Sequence, residues 1–172
     1  MTKCIQEIEL PSLAATEKLG QALARTIEPG LVIYLEGDLG AGKTTLARAL
    51  IHALGHRGSV KSPTYAIVEL YVISRLYLYH FDFYRFTSPE EFLDAGLGEY
   101  FCKDAVCLVE WPDKAGCYLP KADLVLALRP FAHADGEGRL LALDASSQEG
   151  ARCLNRFFSA WGAGNSSASE PD

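Results

Sequence analysis

Apolar positions along the chain fall into short unbroken runs and into helical periods, and the two kinds alternate. Residues 4 to 10 predict a short leading strand. Between Ser12 and Ile27, Leu13, Leu19, Leu23, Ala24 and Ile27 recur at roughly helical spacing, until Pro29-Gly30 turns the chain. LVIYL (31–35) suits a strand buried on both faces. A glycine-rich loop follows, then a helix from about Lys43 to Leu54 with Gly55 as its cap. YAIVELYVI and LYLYHFDFY meet at Ser74-Arg75, a connection so short that it requires an antiparallel hairpin. Ser88-Pro89-Glu90-Glu91 supplies an N-cap, a first-turn proline and a capping box, and Gly96 ends that helix. AVCLVEW (105–111) is a second buried run. DLVLALR (123–129) and RLLALDA (139–145) predict two later strands joined by a polar turn, and Glu149 to Trp161 a last helix. With no repeat and no dividing linker, residues 1–161 are expected to form one α/β domain, and 162–172 a disordered tail.

Composition narrows the class. A chain of 172 residues suffices for one substantial core, and 49% hydrophobic with 22% charged residues is ordinary for a soluble protein. Runs such as Ala122–Leu128 are too short to cross a bilayer, and MTKCIQEIEL lacks the apolar segment of a secretory signal. Cys4, Cys102, Cys107, Cys117 and Cys153 contain no C-x-x-C pair, which fits free thiols in a reducing, cytoplasmic compartment better than disulfides or zinc. A net charge of −6 argues against gripping nucleic acid alone, so a role in a nucleic-acid pathway would run through a partner.

The glycine-rich loop carries the chemistry. Gly37-Asp38-Leu39-Gly40-Ala41-Gly42-Lys43-Thr44 fits G-x-x-x-x-G-K-[ST] without a gap, between a predicted buried strand and a predicted helix. Glycines let successive backbone N–H groups turn inward around phosphates, and the helix N-terminus adds its positive end. Lys43 adds a charge at the outer phosphates, Thr44 a hydroxyl for Mg²⁺, and Thr45 a further hydroxyl nearer the inner phosphate. The site also needs an acid at the end of a neighbouring strand. Glu110, after the apolar run AVCLV, is the better metal partner by pattern; Asp82 suits a water-mediated metal contact or an activating carboxylate. Either reads alternatively as a surface acid at a strand end. The connector Lys61-Ser62-Pro63-Thr64-Tyr65 stands where nucleotide switches sense the γ-phosphate, with Ser62 and Thr64 as its hydroxyls, though a plain capped loop explains it equally. No Asn-Lys-x-Asp element is present, which favours adenine over guanine.

Other features have quieter explanations. His52 and His56, four apart, fit exposed cations near a helix C-terminus better than a metal pair. His80 shares a strand face with Asp82, and either orients that acid or packs in the core. Tyr77, Tyr79, Phe81 and Phe83 alternate on one face as core residues, and Trp111 is a large residue at a strand end.

GDLGAGKTT, KSPTY, HFDFYR and VEWP, in this order and spacing, resemble the TsaE (formerly YjeE) family from about Thr16 to Arg129. The resemblance implies a P-loop NTPase-like three-layer sandwich, whose mainly parallel central sheet carries an antiparallel hairpin. It implies a cytoplasmic ATPase, slow alone, that binds ATP and Mg²⁺ and serves threonylcarbamoylation of adenosine beside the anticodon of ANN-decoding tRNAs. The partner would be the TsaB–TsaD pair, tRNA would be met only indirectly, and neither DNA nor membrane is involved. By position, Lys43, Asp82 and Glu110 would be catalytic, Gly37 to Thr45 would bind nucleotide, and Thr44, Glu110 and Asp82 would serve the metal. Ser62 and Thr64 would form the switch-like loop, while the adenine pocket stays unassigned. Two other classes fit the loop alone. A small-molecule kinase would draw on Arg57, Arg75 or Arg85, although no arginine-rich lid stands out, and a docking switch would bind ATP without turnover.

Overall fold

The computed structural model describes residues 5–74, 76–133 and 136–165, so Cys4, Arg75 and the tail from 166 lie outside the described residues. In chain order the elements are β1 (Gln6–Leu10), α1 (Leu13–Ala24), β2 (Val32–Glu36), α2 (Lys43–Ala53), β3 (Val68–Ile73), β4 (Leu76–Asp82) and α3 (Glu91–Asp94). There follow β5 (Ala105–Glu110), β6 (Leu124–His133), β7 (Gly136–Ala145) and α4 (Gln148–Asn165).

Among the described residues seven strands make one sheet in the order β1-β7-β6-β2-β5-β4-β3. Its centre is parallel, with β2 between β6 and β5 and β4 beyond β5. Both margins are antiparallel: β3 returns along β4 as the predicted hairpin, and β7 pairs with β6 and β1. The consequence for function is positional. Parallel strands end on the same edge, so the loop after β2 and the acids closing β4 and β5 share one rim, where open α/β sheets bind ligands.

Strand alternation divides the core into two layers. Ile33, Leu35, Leu78, Val106 and Leu108 point to α1, α2 and α4, where they meet Leu19, Leu23, Leu46, Leu50 and Phe157. The opposite face carries Phe81, Phe83, Cys107 and Val109, covered by α3 and short 3₁₀ turns around Phe92, Leu97 and Leu119. The sandwich therefore has three unequal layers, one of long helices and one of short turns. Tyr79, Phe81 and Phe83 pack as core residues, whereas Tyr77 at the strand's start is half exposed. Where α1 crosses α2, a Cβ on Gly20 of α1 would lie 2.8 Å from the Ala49 Cβ of α2.

Some boundaries differ from the sequence pattern. The helix after Ser88 is a single α-turn that begins at Glu91, later than a Ser88 cap predicts; Gly96, at φ 65°, ends it as expected, and a 3₁₀ turn, Leu97–Tyr100, follows. Half of the capping box forms, because Glu91 Oε1 accepts from the Ser88 amide at 3.1 Å, while Ser88 Oγ accepts from the Glu90 amide at 3.3 Å instead of that of Glu91. β6 runs past Arg129 through Pro130; beyond Ala127 it has left β2, so a residue without an N–H is tolerated there. α4 continues to Asn165, four residues into the segment expected to be disordered.

Candidate functional site

The loop between β2 and α2 folds as its glycines require. Gly37 adopts φ 140°, and a Cβ there would stand 2.4 Å from the Leu128 carbonyl oxygen on β6, so no other residue fits. Gly42, at φ 107°, precedes the first helical residue Lys43, which places the N-terminus of α2 directly behind the loop. Lys43 is 4% exposed. Its Nζ donates to the carbonyls of Gly37 at 2.5 Å and Asp38 at 2.8 Å, and lies 4.1 Å above the Trp111 ring. Burial lowers its pKa, opposed by the carboxylates of Glu110, Asp82 and Asp38.

Thr44, the next residue, donates its hydroxyl to Glu110 Oε1 at 2.9 Å and Oε2 at 3.0 Å. Glu110 is 2% exposed at the end of β5, and strand register sets Asp82 of β4 directly beside it. Neither acid lies on the surface, which removes the bland reading of both. Asp82 Oδ1 accepts from the Tyr84 amide at 2.9 Å, and its Oδ2 accepts from the hydroxyls of Ser62 and, at 3.1 Å, Thr64. The Ser62–Pro63–Thr64 segment is thus fastened to the acid through both hydroxyls.

His80 shares the strand face of Asp82 as expected, yet its partner is the other acid: Nε2 lies 2.9 Å from Glu110 Oε1. Trp111 follows Glu110 at φ 58°, an uncommon conformation for a bulky residue, and this turns its ring over Lys43. Together Gly42, Thr44, Ser62, Asp82, Glu110 and Trp111 line an open cleft of about 360 Å³. A second hollow of about 180 Å³, bounded by Leu10, Thr16 and Arg139, shares Gly42 and Thr45 with the loop. Arg139 of β7 reaches the Gly40 carbonyl at 3.4 Å, a neighbour that sequence reading misses because nothing in RLLALDA marks it. Of the predicted loop residues, Leu39 is exposed at the rim and Ala41 is buried behind it.

His52 and His56 stand apart from this centre. His52 Nε2 contacts the Gly58 carbonyl at 2.9 Å and His56 packs edge-on to Tyr71. Among the described residues no group of three or more His, Cys, Asp or Glu forms a metal cage, and no helix is long and apolar enough to cross a membrane.

Strand–loop–helix with a lysine and threonine at the helix start, set against acids on two adjacent parallel strands, defines a nucleotide-binding protein of the P-loop class. The model of the family "Threonylcarbamoyl adenosine biosynthesis protein TsaE" matches residues 10–137. The chain belongs to that family and so to tRNA threonylcarbamoyladenosine biosynthesis. The TsaE of Haemophilus influenzae is 42% identical over 130 residues, covering 76% of this chain and 80% of that protein. That of Bacillus subtilis is 41% identical over 114 residues, covering 66% and 71%. The crystal structure of Bacillus subtilis YdiB superposes with a TM-score of 0.79 at 28% identity, over 93% of this chain and 98% of that one.

Proposed function

We propose that this chain binds ATP with Mg²⁺ and hydrolyses it slowly, as the energy-using accessory of a TsaB–TsaD pair during tRNA threonylcarbamoylation in the cytoplasm. The observation that carries the reading is the meeting of Thr44, Glu110 and Asp82 at the mouth of the glycine loop. Their donors are hard oxygens, few in number, which suits Mg²⁺, a cation that takes one or two protein ligands and fills its shell with phosphate oxygens and water. When bound, Mg²⁺ would neutralise charge on the β- and γ-phosphates.

The chain's own residues would do the rest. Backbone amides of Gly37 to Thr45 would cradle the phosphates, with Lys43 leaving the Gly37 and Asp38 carbonyls for them. Thr44 and Glu110 would hold the metal, Thr44 directly. Asp82 would orient a water for in-line attack, in which a new P–O bond forms as the β–γ bridge breaks, and ADP and phosphate leave. Ser62 and Thr64, both on Asp82, would report the γ-phosphate through the connector. With a net charge of −6 the chain would meet tRNA only through its partners. Arg85, which a kinase reading would draw on, is stacked over the exposed Tyr65 ring at 4.1 Å.

The test is ATP hydrolysis and tRNA modification by the purified chain, with and without TsaB–TsaD. Slow turnover that rises with the pair, with phosphate released to water, is the expected result. Fast turnover indifferent to the pair, or phosphate passed to an acceptor, rejects the proposal.

A further inference from the structure

His80 is the residue of the site for which the glycine-loop chemistry has no use, yet it is fully buried, at 0% exposure. One ring nitrogen, Nε2, lies 2.9 Å from Glu110 Oε1; the other, Nδ1, has no hydrogen-bond partner among the described residues. That asymmetry fixes the proton. An N–H buried without an acceptor is rarer and costlier than an unpaired lone pair, so the proton belongs on Nε2, donated to the carboxylate. A carboxylate accepts several hydrogen bonds, and Glu110 receives two side-chain donors from two other elements: His80 of β4 on Oε1, and the Thr44 hydroxyl of α2 across both oxygens. If Thr44 turned its oxygen to a metal, His80 alone of these two would keep the carboxylate in place.

The geometry points to His80 as a positioning residue: its Nε2–H pins Oε1 of Glu110, so that Oε2 stays presented to the metal's shell at the glycine loop whether or not Thr44 remains bonded to it. The inference rests on the Mg²⁺·ATP reading above. It differs from both sequence expectations, in which His80 either oriented Asp82 or only packed in the core. The reason is the sheet: His80 lies beside Leu108 in the β4–β5 register, and Glu110 is the next residue of β5 on the same face. Outer residues of this kind fix the direction of a ligand's lone pairs without touching the ion themselves.

The test compares His80→Gln with His80→Asn, because glutamine carries its amide nitrogen near the Nε2 position and asparagine near that of Nδ1. ATP affinity is measured for each in EDTA, and Mg²⁺ affinity is then measured for the ATP-loaded chain. His80→Asn is expected to weaken Mg²⁺ about tenfold, and His80→Gln to stay within about threefold of the unaltered chain, with ATP affinity in EDTA unchanged in both. Equal losses in the two variants, or parallel losses of metal-free ATP, would show a merely structural histidine and overturn the inference. A normal Mg²⁺ response in His80→Asn overturns it as well. Nitrogen-15 NMR of labelled histidine in the nucleotide-free chain, with the His80 signal identified by its absence in His80→Gln, supplies a second readout should either variant fold poorly. A proton on Nε2 is expected, and a proton on Nδ1 with Nε2 bare overturns the assignment. Failure of the unaltered chain to bind ATP at all is a different result: it removes the nucleotide reading itself, and the metal role with it, while leaving the NMR result to stand for the hydrogen bond.

Discussion

The Thr44 hydroxyl lies 2.9 Å from Glu110 Oε1 and 3.0 Å from Oε2, although 66 residues separate the two in the chain. The contact exists because β2 and β5 are parallel neighbours in register, with Leu35 beside Glu110. It joins the hydroxyl and the carboxylate on which a metal at the loop would depend. Glu110→Gln keeps an acceptor for Thr44 but removes the charge. ATP affinity measured in EDTA should therefore change little, while kcat should fall by about 100-fold or more. A variant that hydrolyses ATP at the full rate would remove Glu110 from the mechanism.

Lys43 makes a different prediction. Its ammonium has two carbonyl acceptors and the Trp111 ring, and burial already disfavours its charge. Lys43→Ala thus removes a desolvated cation together with its bonds, two terms of opposite sign, so the thermal midpoint should move only slightly. ATP affinity should fall by about 100-fold, of the order expected for losing a charge-assisted phosphate contact worth about 2–3 kcal/mol. Calorimetric titration with ATP reads the second quantity and a thermal scan the first; undiminished affinity would mean that the loop does not use its lysine.

How far the site could be read in advance depended on whether its parts are local. Gly37 to Thr45 are contiguous, and a motif between an apolar strand and a helix carries its own context. Asp82 and Glu110 were legible as acids closing apolar runs, because parallel strands end on one rim. Partners that depend on strand neighbours were not. Alternation placed His80 on the correct face but not against Glu110, since that needs the order of strands in the sheet. Arg139 was missed for the same reason, reaching Gly40 from β7, at the far side of β6. The length of β6 past Pro130 became intelligible only once β2 was seen to end beside Ala127.

Asp82 ties the connector to the sheet. With both Ser62 and Thr64 on Oδ2 and the Tyr84 amide on Oδ1, Asp82→Asn must turn its amide group so that one of these donors faces an N–H₂. Turnover should drop at least tenfold, while metal-free ATP affinity stays within about threefold, since the phosphate cradle is formed by the loop's backbone. The connector should also loosen. Faster amide exchange across residues 61–66 than in the unaltered chain would report it, and unchanged protection there would show that the hydroxyls do not hold the segment.

The contact between α1 and α2 offers a test of packing away from the chemistry. A methyl on Gly20 would stand 2.8 Å from Ala49 Cβ and 2.9 Å from the Ala49 carbonyl carbon, so the helices must separate to admit it. Gly20→Ala should destabilise the fold by about 1–3 kcal/mol, despite alanine's better helix propensity. Urea denaturation measures this, and a more stable variant would mean that the two helices yield freely.

Alkaline pH should also weaken the fold, through a buried thiol. Burial pushes Cys107 from the ordinary thiol value of 9.0 up to about 12. Between those values the unfolded chain releases a proton that the folded one retains, so stability is whole below pH 9 and declines as pH rises towards 12. Each unit of difference is worth about 1.4 kcal/mol, which makes the full span about 4 kcal/mol as an upper figure. Tyr34, pushed up to about 12 by burial and the nearby Glu36, adds to the decline in the same direction above pH 10. Cys107→Ala should be less stable at pH 8, because it empties part of a core site that is 1% exposed, but it should lose less stability between pH 9 and pH 11 than the unaltered chain. Urea midpoints at a series of pH values give both slopes. Identical slopes would mean that the Cys107 thiol ionises as readily in the folded chain as in the unfolded one.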